Sequence, residues 1–213
     1  MVRRPSIPRR IDVGRALGGH SGDGTGPGSR YPGGMAAYDI RIIGDPVLRE
    51  VADDVTDIDG PLVRVAEGMI DAMYDAEGLA VAAPQVGVRK RLVVYQLPDD
   101  PEPVAIVNPR IVESGDEQWL FSEGCLSIPG VYWEISRPKQ VHVVGLDLDG
   151  NEVSIEADEL AARMYQHELD HLDGVLMTER LDDDQKRDAR RYVRELMMSR
   201  PGRAAAGGGL DLS

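Results

Sequence analysis

The stretch KQVHVVGLDLDGNEVSIEADELAARMYQHELDHLDG, residues 139–174, changes periodicity halfway along its length. Residues 139–148 and 152–156 carry the β-branched, apolar-rich pattern of strands, and Asp149-Gly150 between them is a strong hairpin signal. Beyond them the pattern turns helical. Asp158 stands where a helix N-cap is expected, the helix should run to about Leu172, and Gly174 supplies a stop. A hairpin that runs straight into a helix belongs to an antiparallel sheet, not to a strand–helix–strand crossover.

Working outward, residues 91–96 (RLVVYQ) and 104–112 (VAIVNPRIV) also read as strands. Pro61 suits a first helical position, and Leu62, Ala66, Met69, Ile70 and Met73 follow at helical spacing. A last helix over about 182–199 places Ala189, Tyr192, Val193, Leu196 and Met197 on one face. Strands that follow one another without regularly interposed helices favour an α+β fold with antiparallel β-sheets. The 213 residues suffice for one domain with a sizeable core.

The two ends differ from the middle. Residues 1–34 are rich in Gly, Pro, Arg and Ser and lack periodicity, so they are expected to be a disordered leader, with Met35 opening the folded part. Residues 35–200 are the expected domain, and residues 201–213 (PGRAAAGGGLDLS) a flexible tail. The net charge is −13, with +4 on residues 1–34 and −17 on the rest. A body this acidic repels nucleic acid phosphates over most of its surface, which argues against general nucleic-acid binding. Without an 18-residue apolar run or a secretory signal, no membrane span is expected and a cytoplasmic location is. The single cysteine, Cys125, fits a reducing compartment and has no intrachain partner.

His167-Glu168-Leu169-Asp170-His171 carries the chemistry. Residues four apart share a helix face, so both imidazoles can grip one ion while Glu168 serves a water as general base. Two imidazoles leave an ion short of ligands, and no histidine follows His171. The upstream thiol in Glu123-Gly124-Cys125-Leu126-Ser127 is the better candidate for a third ligand, although a free cysteine is commonly a small buried hydrophobe and a Cys–His nucleophile is also conceivable. A third segment, Gly78-Leu79-Ala80-Val81-Ala82-Ala83-Pro84-Gln85-Val86-Gly87, is small and nearly uncharged, with Gln85 its one side-chain donor.

Taken in chain order, the segments at 78–87, 123–127 and 166–171 resemble the peptide deformylase family, whose signatures are G-x-G-L-A-A-x-Q, E-G-C-L-S and Q-H-E-x-D-H. The second is complete at 123–127 and the third at 166–171, and IGDPVLREVADDV at 43–55 is similar to the family's opening. The resemblance covers roughly residues 38–199. It implies antiparallel sheets around a central HExxH helix, flanked by an N-terminal and a C-terminal helix. It further implies hydrolysis of the formyl group from the N-terminal formylmethionine of newly made polypeptides. The implied ligands are Cys125, His167 and His171 around one divalent ion, natively Fe(II), with Zn, Ni or Co also compatible with such a donor set. Glu168 would activate the metal-bound water, and Gln85 with the Leu126 N–H would stabilise the oxyanion. Backbone groups of Gly78, Leu79, Ala80 and Gly124 would take the substrate as an added strand. In some members a C-terminal helix contacts the ribosome, and Lys186, Arg187, Arg190, Arg191, Arg194 and Arg200 would suit that here. The first signature departs from the family at Ala80 and Val81, where glycine and leucine are expected. Two rival readings are a peptidase or amidase without formyl preference, and a deformylase-like fold retained for binding.

Overall fold

The computed structural model describes residues 38–199; the expected leader at 1–34 and tail at 201–213 lie outside them. Seven strands and three α-helices follow in chain order. They are α1 (Gly60–Asp75), β1 (Ala80–Ala82), β2 (Leu92–Tyr95), β3 (Val104–Ser114), β4 (Gln118–Cys125), β5 (Ile128–Pro138), β6 (Gln140–Leu146), β7 (Glu152–Asp158), α2 (Glu159–Leu172) and α3 (Asp183–Ser199).

Five strands form one antiparallel sheet in the order β1-β2-β3-β6-β7, and β4 and β5 form a separate hairpin. The run LVVY of β2 is buried at every position because a helix covers each face of the sheet. Val93, Tyr95, Val104 and Ile106 pack with Ala162, Met164, Tyr165 and Leu172 of α2. Leu92, Val94, Ala105 and Val107, one residue out of phase, pack with Leu62, Ala66, Met69, Ile70 and Met73 of α1. Fully burying a side chain such as Leu92 contributes about 1.5–3 kcal/mol. The α+β architecture expected from the strand run is the one observed.

Local chemistry sets the ends of these elements. The Asp59 carboxylate accepts from Leu62 N at 2.9 Å and caps α1 one residue before Gly60 and Pro61. The Asp149-Gly150 hairpin forms, with Gly150 at φ +81 and the Asp147 side chain accepting from the backbone N–H groups of Asp149 and Asn151. Asp158 occupies the N-cap of α2, yet its side chain makes no capping hydrogen bond. For α3, Asp182 accepts from Gln185 N at 2.8 Å and Gln185 returns the bond to Asp182 N at 3.1 Å. On that helix Ala189 is buried and Tyr192, Val193 and Leu196 lean on a separate apolar cluster around Leu48, Ile128 and Leu181, but Met197 is largely exposed, unlike its expected place on the packed face.

The hairpin β4–β5 was not expected as strands. Its inward positions include Glu123 and Arg137, both buried, and charged residues there interrupt the apolar alternation by which strands are recognised. The hairpin packs Cys125, Ile128 and Ile135 against Leu176, Met177, Leu181 and Ala189. It thereby brings Cys125 up to α2.

Candidate active site

Helix α2 is buried from Ala162 through Leu172, although seven of those eleven side chains are polar, charged or aromatic. A helix this polar buries itself only when its groups have partners or a function. His167 and His171, four residues apart, stand on one face with ring centroids 5.0 Å apart. Cys125 closes β4 at a register shift after Gly124. Its Sγ lies 3.2 Å from His171 Nε2, and one ligand atom each from Cys125, His167 and His171 fall within 4.8 Å of one another. The expected ligand set therefore converges, although Cys125 comes from a different layer and lies 46 residues before His171.

A buried ionic network orients these ligands. Glu123 Oε1 accepts from His167 Nδ1 at 2.7 Å and from Arg137 Nη2 at 2.7 Å. Its Oε2 accepts from Arg137 Nε at 2.9 Å and from Arg163 Nη1 at 2.9 Å. With Nδ1 engaged, Nε2 is the nitrogen that His167 has left for an ion. Arg137 also donates to Asp170 at 2.8 Å, and Asp170 in turn pairs with Arg180. Arg163 is held from its other side by the Trp119 carbonyl, over the stacked rings of Trp119 and Phe121. Arg137, Arg163 and Arg180 were not singled out from sequence, and Glu123 and Asp170 appeared there only as motif letters. The one sequence signal for them is an acidic or basic residue at an inward strand or helix position.

Burial by itself would raise the Cys125 thiol, but the adjacent His171 and His167 imidazoles outweigh it and hold the thiol well below its ordinary value. Burial would lower His167; the Cys125 sulfur and the Glu123 carboxylate reverse that and hold it well above. The imidazoles thus favour the thiolate form of Cys125, which is the form that ligates a cation. Burial pushes Glu168 up, and its Oε2 is enclosed without a hydrogen-bond partner. Glu123, despite burial, is held far below the usual carboxylate range by Arg137 and His167. Two imidazoles, one thiolate and an orphaned carboxylate oxygen fit a divalent ion of borderline softness.

The first segment forms the opposite wall. Gln85 lies in a 3-10 turn (Ala83–Val86) after β1. Its Oε1 accepts from Ala82 N at 2.9 Å, which turns Nε2 toward Ser127 Oγ at 3.2 Å and Cys125 Sγ at 3.9 Å. Gly78 sits under Leu126: a Cβ there would lie 2.7 Å from Leu126 Cδ1. Leu79 is exposed, and its carbonyl already accepts from Gln96 N at 2.9 Å. Ala80 lies in β1 opposite Tyr95, outside the positive-φ residues, and its methyl belongs to the core shared with Tyr165. The alanine at this departure from the signature is therefore unstrained. Val81, the other departure, is fully buried against α1.

Known proteins resemble the chain in sequence and in fold. The family model described as Polypeptide deformylase matches residues 37–187. The peptide deformylase of Parafrankia sp. (strain EAN1pec) is 43% identical over 161 residues, 76% of this chain and 87% of that protein. That of Natranaerobius thermophilus is 45% identical over 149 residues, 70% of this chain and 95% of that protein. Among solved structures, a peptide deformylase from Legionella pneumophila superposes with a TM-score of 0.72 at 38% identity, covering 78% of this chain and 100% of that one. One from Synechococcus elongatus, in complex with actinonin, gives 0.68 at 39% identity, covering 76% and 86%. Sequence, fold and the convergent Cys–His–His group agree, and the chain belongs to the polypeptide deformylase family.

Proposed function

We propose that this chain hydrolyses the formyl group from the N-terminal formylmethionine of newly made polypeptides, with a divalent ion held by Cys125, His167 and His171. The observation that carries the reading is the convergence of those three ligand atoms within 4.8 Å beside Glu168, whose buried Oε2 has no partner. When bound, the ion supplies Lewis acidity to a water and to the formyl carbonyl. Glu168 Oε2 accepts a proton from the attacking water and returns it to the amine nitrogen as the C–N bond breaks. Gln85 Nε2 and the Leu126 N–H donate to the formyl oxygen as it gains negative charge. Gly78, Leu79, Ala80 and Gly124 border the free edges of β1 and β4, where a peptide adds as a strand. For Leu79 that leaves the N–H, because its carbonyl is engaged.

Fe(II) is the ion we assign natively, with Zn, Ni or Co able to occupy the same soft donor set. A single cysteine used as a ligand suits the reducing cytoplasm. Among the described residues no helix is long and apolar enough to cross a membrane. A ribosome contact is proposed for α3. Arg187 and Arg191 pair with Asp184 and Asp188 along the helix, whereas Lys186, Arg190 and Arg194 line a groove of about 780 Å³ with Arg49. Arg200 lies outside the described residues.

The test is formate release from formyl-Met-Ala-Ser by Fe(II)- or Ni(II)-loaded protein without oxygen, beside Glu168→Ala. Release that falls at least about 10²-fold in the variant supports the reading. A fully loaded wild type that releases none rejects it.

A further inference from the structure

Strands β3 and β5 belong to different sheets, and a cavity of about 460 Å³ lies between them and the C-terminal half of α2. That volume is within the roughly 300–1,000 Å³ of small-ligand sites. Its lining is cationic: Arg91, Arg110, Arg137 and Arg180 face only two carboxylates, Asp170 and Asp173. Two of the arginines are committed. Arg137 is held by Glu123 and Asp170, and Arg91 by Asp173 at 2.6 Å. The other two keep donors to spare. Arg180 spends Nε and Nη2 on Asp170, which Arg137 already shares, and its Nη1 has no partner among the described residues. Arg110, exposed on β3, makes no hydrogen bond or ion pair among them at all. The Ser136 hydroxyl on β5, also lining the cavity, is likewise without a partner there.

Guanidinium groups gathered in one concavity repel one another unless an anion is supplied. The chain has 37 acidic side chains against 24 Lys and Arg, yet among the described residues it sets none of them against Arg110. Two guanidinium groups and a hydroxyl, contributed by β3, β5 and the segment after α2, offer donors from several directions. That suits a tetrahedral oxyanion better than a planar carboxylate. The lining's excess of two positive charges matches a dianion. We propose that this cavity binds a phosphoryl dianion, inorganic phosphate or a small phosphate monoester, through Arg110, Arg180 and Ser136. The site is separate from the ion centre, since Cys125, His167, Glu168 and His171 are not in its lining. It does not rest on the deformylase reading.

The test is titration calorimetry on the Ni(II)-loaded protein at pH 7.5 and constant ionic strength, with inorganic phosphate, glycerol phosphate and acetate in separate runs. The wild type is compared with Arg110→Ala and with Arg64→Ala, which removes an exposed arginine from α1 on the other face of the main sheet. One equivalent of inorganic phosphate or of the monoester is expected to bind the wild type, and the tighter of the two names the source. Losing a charge-assisted contact should weaken that binding about tenfold or more in Arg110→Ala and leave it unchanged in Arg64→Ala. Equal affinity in the wild type and Arg110→Ala overturns the proposal, because the anion would then sit elsewhere, as on the metal. An equal fall in Arg64→Ala overturns it as well, since only overall charge would be at work. Acetate bound as tightly as phosphate overturns the phosphoryl assignment, and no binding of either phosphate overturns the site.

Discussion

Truncating Glu123 to alanine removes the acceptor of four N–H groups at 2.7–2.9 Å: two on Arg137, one on Arg163 and one on His167. Arg137 keeps Asp170 and Arg163 keeps the Trp119 carbonyl, so neither is stripped completely. Both guanidinium groups nonetheless stay buried with one counter-charge fewer. Breaking a buried ion pair from one side costs about 3–5 kcal/mol. That is a large share of the roughly 5–15 kcal/mol by which a domain is stable. The assay is urea unfolding of the ion-free protein, wild type against Glu123→Ala, with the slope compared to ensure that the same transition is measured. The pH dependence follows from the direction of the Glu123 shift. Its folded-state pKa is depressed, so its contribution is fully present above the unfolded value of about 4.3 and is lost as pH falls from there toward the folded value. The gap between wild type and variant should therefore be widest near pH 7 and shrink below about pH 4. A loss under about 1 kcal/mol at pH 7, or a gap that widens in acid, would refute the claim that this carboxylate holds the two arginines and His167 together.

Three further outcomes follow from the same geometry. Gln85→Ala should lower kcat for formate release by about 10²–10³-fold with ion content unchanged, the outcome expected of the oxyanion-donor role proposed for Gln85 Nε2; a change under threefold would reassign it to packing against Ser127. Stripping the ion with a chelator should lower Tm, because the three-ligand site exists only in the folded chain, and His171→Ala should abolish that difference; an unchanged Tm in the wild type would contradict the site. Replacing Lys186, Arg190 and Arg194 together by glutamine should weaken ribosome co-sedimentation at low salt, and unchanged co-sedimentation would reject the contact. Substitution is a cleaner probe than cutting after Asp184, which would also remove Ala189 from the core and the Tyr192 hydroxyl from the Pro129 carbonyl.

Local pattern was enough for the elements whose periodicity is undisturbed. The strands at 91–96, 104–112, 139–148 and 152–156 and the helices α1 and α3 were legible because each carries an apolar pattern of the right period, whereas α2 was read from Asp158, Gly174 and the His167–His171 spacing; four of the five strands of the main sheet follow from pattern alone. The three-residue β1 is too short to show a period. The hairpin β4–β5 escaped for a different reason: its buried face is built partly from Glu123 and Arg137, whose partners are brought together only by the fold.

The site divides in the same way. Sequence by itself determined that two imidazoles and Glu168 ride one helix, because i and i+4 are neighbours on any α-helix; the shortage of ligands pointed to Cys125, and the resemblance added an oxyanion role for Gln85. Only the tertiary structure decided that the thiol meets those imidazoles, that Gln85 Nε2 is turned toward it, and that Glu123 is shared by His167, Arg137 and Arg163. It also decided that alanine is unstrained at position 80. Those facts depend on how separate layers pack, and a charge becomes tolerable in a protein interior only once packing has delivered its counter-charge.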